Sequence, residues 1–211
     1  MTEPPDQVLP SKCRHCDRPM SHLLVCDYCH ALNPVATTTD YFTLLEMPRS
    51  FDLDGEALRR KFLALNRHAH PDYHGEESPE VQALSLRVSA AVNDAYRTLA
   101  DPASRGAYLL ELLGGHSAVE DKSVPEGFLE TTMMMQEEIA DVKAAGNGEQ
   151  LDRLRGVLQT QHDGLIRRIA GLFEEYQQAV SCEAVRKDLL GEIRRQLNAV
   201  SYVRKLLSQT A

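Results

Sequence analysis

Several features are missing from this 211-residue chain, and each absence removes a class of function. No apolar run approaches the ~20 residues that a bilayer-spanning helix requires, so a helical membrane protein is not expected. Positive charge is in deficit: 23 Lys and Arg stand against 31 Asp and Glu, a formal net charge of -8 with a pI near 5.5. A general nucleic-acid or membrane-surface binder selects a basic face, which this balance does not supply. There is no Gly-rich phosphate loop and no nucleophile motif, and the carboxylates follow helix surfaces without clustering, so the chain is not expected to be an enzyme. Met1 to Pro10 lack both the charged and apolar regions of a secretion signal and, with Glu3 and Asp6, the Arg and Ser of a transit peptide. A cytoplasmic location is the resulting expectation. At 43% hydrophobic and 26% charged residues, the rest is an ordinary globular balance for one or two domains that fold without disulfides.

Cysteine is scarce but concentrated. Of five cysteines, Cys13, Cys16, Cys26 and Cys29 form C-x2-C-x9-C-x2-C. Each Cys-x-x-Cys turn can aim two thiolates at one point, and four thiolates in a tetrahedron make a structural zinc site. A disulfide pair is the competing reading and needs an oxidising compartment; iron in a rubredoxin-like site is chemically possible, with zinc the simpler structural ion. His15 and His30 are bystanders, since four sulfurs complete the shell. Cys182 reads as a small core residue in a helix.

Downstream the pattern is helical. Ala31 to Thr39 has a linker composition. Asp40 caps a short helix through Tyr41-Phe42-Thr43-Leu44-Leu45, which Pro48 ends. Asp54 starts the next, with Leu58, Phe62, Leu65 and Ala69 as its buried face and Arg59, Arg60 and Arg67 as an exposed basic strip. His70-Pro71-Asp72 must stop that helix, because proline excludes the residue before it from the α region. Ser78-Pro79-Glu80 restarts a helix whose stripe is Val81, Leu84, Val88, Ala91, Ala95 and Leu99. Asp101-Pro102 opens a short helix with Tyr108, Leu109 and Leu112. The polar stretch His116 to Val124 reads as a linker, after which Pro125 starts a helix.

That helix carries two stripes. Phe128, Thr132, Met135, Ile139 and Val142 fall on one face; Leu129, Met133 and Ala140 form a second, flanked by Glu130 and Glu137. Gly146-Asn147-Gly148 closes it. A long helix follows with Leu151, Leu158, Leu165 and Leu172 at heptad spacing beside Leu154, Ile169 and Tyr176. The last helix turns Val185, Leu189, Ile193, Val200, Val203 and Leu207 inward and leaves Tyr202 on the other side with Ala199 and Leu206.

From Asp40 to Leu113 the chain resembles a J-domain. Tyr41-Phe42-Thr43-Leu44-Leu45, His70-Pro71-Asp72, Asn93-Asp94-Ala95-Tyr96 and Asp101-Pro102 through Tyr108-Leu109-Leu110 are similar to its iron-sulfur co-chaperone branch, the HscB family. The likeness continues to the C-terminus, and the four-cysteine module is similar to that of members carrying a zinc site. The resemblance implies an all-α protein: a small zinc-binding module (1–36), a J-domain helical hairpin (37–115) and a C-terminal three-helix bundle (116–211). It also implies stimulation of ATP hydrolysis by a DnaK-type, HscA-like chaperone through His70, Pro71 and Asp72, with Arg59, Arg60 and Arg67 as docking charges. An IscU-like cluster scaffold protein would be gripped by Leu129, Met133 and Tyr202, with Glu130 and Glu137 nearby.

Plainer readings stand beside these. A basic strip is usually a solvated face, and Leu129 with Met133 could widen a core contact. His70 and Asp72 as a catalytic dyad lack a desolvated pocket. A zinc-knuckle nucleic-acid module, using Lys12, Arg14 and Arg18, runs against the acidity. A general J-protein with another client would share the first half only.

Overall fold

The computed structural model describes residues 12–13, 15–20, 24–26, 28–33 and 39–210. Met1 to Pro10, Arg14 and residues 34–38 of the linker lie outside the described residues. Among those described, regular structure is helical throughout: seven α-helices, one turn of 3-10 helix, and an isolated bridge between Val25 and Leu32. The chain divides into two compact units, Met1–Asp101 and Pro102–Ala211.

In the first unit, α1 (Tyr41–Leu44) begins where the Asp40 carboxylate accepts the amides of Phe42 and Thr43. Helix α2 (Gly55–Ala69) is capped in the same way by Asp54, through the amides of Glu56 and Ala57. It ends as the proline requires: His70 is extended (φ -65°, ψ 132°), and Pro71–His74 form the 3-10 turn. Ser78 then caps α3 (Pro79–Ala100), which has proline in its first turn. The hairpin core consists of Leu58 and Ala69 from α2 and Val88, Val92, Ala95 and Leu99 from α3, with Phe62 stacked on Tyr96 at 4.1 Å. Phe42, Leu44, Leu45, Met47 and Phe51 are buried around α1. The α3 stripe is displaced from the expected one: Val81, Leu84 and Ala91 are half-buried, while Ser85, Ser89 and Val92 are buried. The two serines escape a search for apolar periodicity because each is a polar residue at an inward position.

The second unit contains α4 (Pro102–Leu112), α5 (Phe128–Ala144), α6 (Gly148–Gln178) and α7 (Glu183–Gln209). Helix α4 groups with this unit, packing on α7 and α6, and buries Leu109 and Leu110 while Leu112 is exposed. Helix α5 starts at Phe128, three residues later than Pro125 suggests: Pro125 opens a turn whose carbonyl accepts the Phe128 amide, and Gly127 sits left-handed at the cap (φ 71°). The other end is a glycine stop, with Gly146 at φ 65° and the amides of Gly146 and Asn147 returning to the carbonyls of Lys143 and Val142. Phe128, Ile139, Val142, Leu154, Leu158, Ala199, Val203 and Leu206 form one core cluster.

Three expectations for α7 and its start are corrected here. Ala199 and Leu206 are buried, not companions of Tyr202 on a free face, because α4, α5 and α6 all pack on α7 and cover most of its circumference. Val185 is exposed near the start of the helix. Cys182 is exposed at the N-cap of α7 and is not core. The stretch His116 to Val124 is held down by Asn198, which donates to the carbonyls of both Asp121 (2.9 Å) and Ser123 (2.8 Å).

Candidate metal centre and docking surfaces

The four cysteines come together. Their Sγ atoms all lie within 4.8 Å of one another, with Cys13–Cys29 and Cys16–Cys26 each at 3.6 Å. Tetrahedral zinc with Zn–S bonds of ~2.3 Å places sulfurs about 3.8 Å apart, so the cradle fits a thiolate-bound dication. The fit follows from two matching turns. The Asp17 amide returns to the Cys13 carbonyl and the Cys13 amide to Arg18; the His30 amide returns to the Cys26 carbonyl and the Cys26 amide to Ala31. Each turn ends on a residue in the left-handed region, Asp17 and His30, both at φ 57°. For a side-chain-bearing residue that conformation costs about 1 to 2 kcal/mol.

Amides also point at sulfur. The His15 amide lies 3.3 Å from Cys13 Sγ. The amides of Cys29 and Tyr28 pull the Cys26 thiol down to about 6. Ala31's amide favours the Cys29 thiolate, but burial and the neighbouring thiols outweigh it and push Cys29 up to about 12. Four sulfurs at this spacing cannot all ionise without a cation among them, and a dication resolves that conflict. His15 and His30 contribute no ligand to the cluster. Lys12 pairs with Asp17 (3.5 Å), and Arg18 lies over the Tyr28 ring (4.8 Å).

The His70-Pro71-Asp72 turn is exposed and internally braced. The Asp72 amide donates to His70 Nδ1 (3.3 Å), and Asp72 Oδ2 lies 3.5 Å from the same nitrogen. Residues without any sequence signal anchor the turn from beneath. Buried His74 bonds through Nε2 to the His68 carbonyl (2.9 Å), and Ser85 Oγ donates to the Ala69 carbonyl (2.8 Å). Gln82 Nε2 donates to the carbonyls of Gly75 and Glu77. Arg59, Arg60 and Arg67 are exposed along α2, and Arg60 makes a long i,i+4 contact with Glu56 (3.8 Å).

On the second unit, Leu129 and Met133 of α5 are 48% and 64% exposed, and Tyr202 of α7 is 40% exposed. Phe128 links the two helices, its buried ring meeting the Tyr202 ring edge-on at 6.2 Å. Glu130 and Glu137 are exposed on α5. Sequence reasoning missed Met134, which is exposed and falls between Glu130 and Glu137 at helical spacing.

Relatives confirm the kinship. A co-chaperone protein HscB homolog of Ralstonia nicotianae is 32% identical over 149 residues, 70% of this chain and 85% of that protein. The chain belongs to the HscB family of iron-sulfur cluster co-chaperones. Residues 124–208 match the family model described as the HSCB C-terminal oligomerisation domain. The iron-sulfur cluster co-chaperone protein HscB of Mus musculus is 36% identical over 60% of this chain, which spans 55% of the mouse protein. The crystal structure of human co-chaperone protein HscB aligns with a TM-score of 0.75 at 26% identity, covering 94% of this chain and 96% of that one. Chaperone HscB from Vibrio cholerae aligns at 0.68 and 25% identity. HscB relatives are named as co-chaperones, which points to a regulatory rather than catalytic role. No helix among the described residues is long and apolar enough to cross a membrane.

Proposed function

We propose that this HscB-family chain stimulates ATP hydrolysis by a DnaK-type, HscA-like chaperone and delivers an IscU-like iron-sulfur scaffold protein to it. The observation that carries the reading is the exposed His70-Pro71-Asp72 turn, fixed between two packed helices and continuous with the arginines of α2. Such a turn offers an imidazole donor and a carboxylate acceptor to one partner, while Arg59, Arg60 and Arg67 draw that partner in from solution. The client side is the patch of Leu129, Met133 and Tyr202, extended by Met134 and edged by Glu130 and Glu137. Exposed apolar side chains bordered by charge suit a protein partner, with the apolar groups as anchors and the carboxylates setting orientation. In this reading residues 37–115 act as the J-domain, 116–211 as the scaffold-binding domain, and 1–36 as the module in which Cys13, Cys16, Cys26 and Cys29 hold zinc. The protein acts in the cytoplasm, with no nucleic-acid or membrane partner.

Substituting His70→Gln or Asp72→Asn tests the reading. Both side chains are substantially exposed, so stability should change by no more than about 0.5 kcal/mol. Stimulation of the chaperone's steady-state ATPase should be lost while the far-ultraviolet circular dichroism melt is unchanged. Full stimulation by either variant would refute the assignment.

A further inference from the structure

Within the first unit a cavity of about 700 Å³ separates the four-cysteine module from the end of the helical hairpin. Cys13, Cys29 and His30 line one side; Arg67, His68, Tyr73 and His74 line the other. A direct contact crosses beside it. The His30 and His68 rings stack nearly parallel, 4.9 Å between centroids and 7° between planes. His30 follows the ligand Cys29 directly, and its left-handed backbone is set by the knuckle turn, so its direction depends on the four cysteines being gathered. His68 lies in the last turn of α2, two residues before His70, and its carbonyl receives the buried His74 ring that closes the 3-10 turn. A short path therefore runs from Cys29 through His30 and His68 to His74, which ends the 3-10 turn two residues beyond the tripeptide.

Backbone strain sharpens the point. A glycine or asparagine would occupy the position after Cys29 at lower conformational cost. Histidine is there despite that cost, and its ring meets another imidazole outside the metal shell. Residues held in sparsely populated backbone regions persist where the surroundings over-determine them.

We propose that His30 is a positioning residue for the His70-Pro71-Asp72 turn: stacked on His68, it ties the metal-bound module to the end of α2, so that metal occupancy governs how firmly the turn is presented. The proposal deepens the reading of that turn as the chaperone-docking element and rests on it for its functional consequence, while its structural content stands alone. Metal loss frees the knuckle, His30 leaves His68, and the anchor formed by the His68 carbonyl and His74 loosens without unfolding the hairpin.

The experiment uses the full zinc-loaded chain and its His30→Gly variant, which suits the left-handed backbone and removes only the ring. Metal content by native mass spectrometry should be one zinc per chain in both. In two-dimensional NMR spectra, chelating the zinc from the unsubstituted protein should shift the amides and imidazoles of His68, Tyr73 and His74. It should also speed exchange of the Tyr73 amide, which bonds to the His70 carbonyl. In His30→Gly these signals should already be displaced and respond no further to chelation. Chaperone ATPase stimulation should fall three- to tenfold in His30→Gly and recover in His30→Phe, which restores a stackable ring. Equal responses to chelation in both proteins would overturn the brace, as would a zinc-loaded His30→Gly with unshifted turn signals. If the unsubstituted protein stimulates no chaperone while the NMR responses follow the expected pattern, the docking assignment fails and the brace survives.

Discussion

Asp40 shows how much one carboxylate can organise. One oxygen accepts the amides of Phe42 and Thr43; the other accepts the Thr43 hydroxyl (2.7 Å) and Arg49 (2.6 Å). Burial opposes its ionisation, but the bonds from Arg49 and Thr43 outweigh that and hold the carboxyl below its usual range. A depressed folded-state pKa contributes stability that is present above the ordinary carboxylate range and is lost as pH falls through the folded value. Asp40→Ala should therefore cost about 1 to 2 kcal/mol at neutral pH, and Asp40→Asn less, since the amide oxygen still caps. The difference between the unsubstituted protein and Asp40→Asn should shrink on acidification to about pH 3, below the ordinary range. Urea denaturation at the two pH values measures both effects, and a difference that grows on acidification would reverse the sign of this account. That Asp40 caps a helix was legible in sequence, since a carboxylate preceding Tyr41-Phe42 is a start signal. Arg49, nine residues away, was not, because nothing local announces that the chain turns back at Pro48.

Among the elements, α5 most clearly separates pattern from packing. Its two stripes were visible from spacing, which left open whether the second widened a core contact; the structure buries Phe128, Thr132, Ile139 and Val142 and exposes Leu129 and Met133. Helix α7 behaves differently. Tyr202 stands out alone, since Ala199 and Leu206 belong to the core cluster. A helix contacted by three others needs more than one apolar stripe, and a single-face rule then misassigns its second buried face. The triple change Leu129→Ala, Met133→Ala and Tyr202→Ala separates partner anchors from core. Exposed anchors should leave the melting temperature nearly unchanged while scaffold affinity falls at least tenfold, as expected for groups worth ~2 kcal/mol or more on truncation. Isothermal titration and thermal melts on one preparation give both readouts. A large drop in melting temperature would mark these residues as structural, and unchanged binding would remove them from the client surface.

Across the whole molecule, the metal should matter locally. Leu24 and Val25 are the buried aliphatic residues described in the module, too few to order it alone, so a bound metal would supply much of its folding free energy. Stripping the metal should expose four reactive thiols there and abolish the order of the module, with helical circular dichroism largely retained; collapse of the helical signal would show that the module supports the helices as well. The sequence by itself determined the helical class, the metal-binding spacing, the break at His70-Pro71-Asp72 and the presence of two stripes on α5. Each of those is a local property: caps, proline sterics and periodicity act over a few residues, and the cysteine pairs close small turns. Only the tertiary structure decided that α4 joins the second unit, that Ser85 and His74 anchor the His70-Pro71-Asp72 turn, that Asn198 pins the stretch after α4, and that His30 meets His68. Those contacts join residues far apart in the chain, or put polar groups at inward positions where a particular carbonyl or ring awaits them. Local pattern carries no record of such partners, because which carbonyl or ring is available depends on how the helices pack.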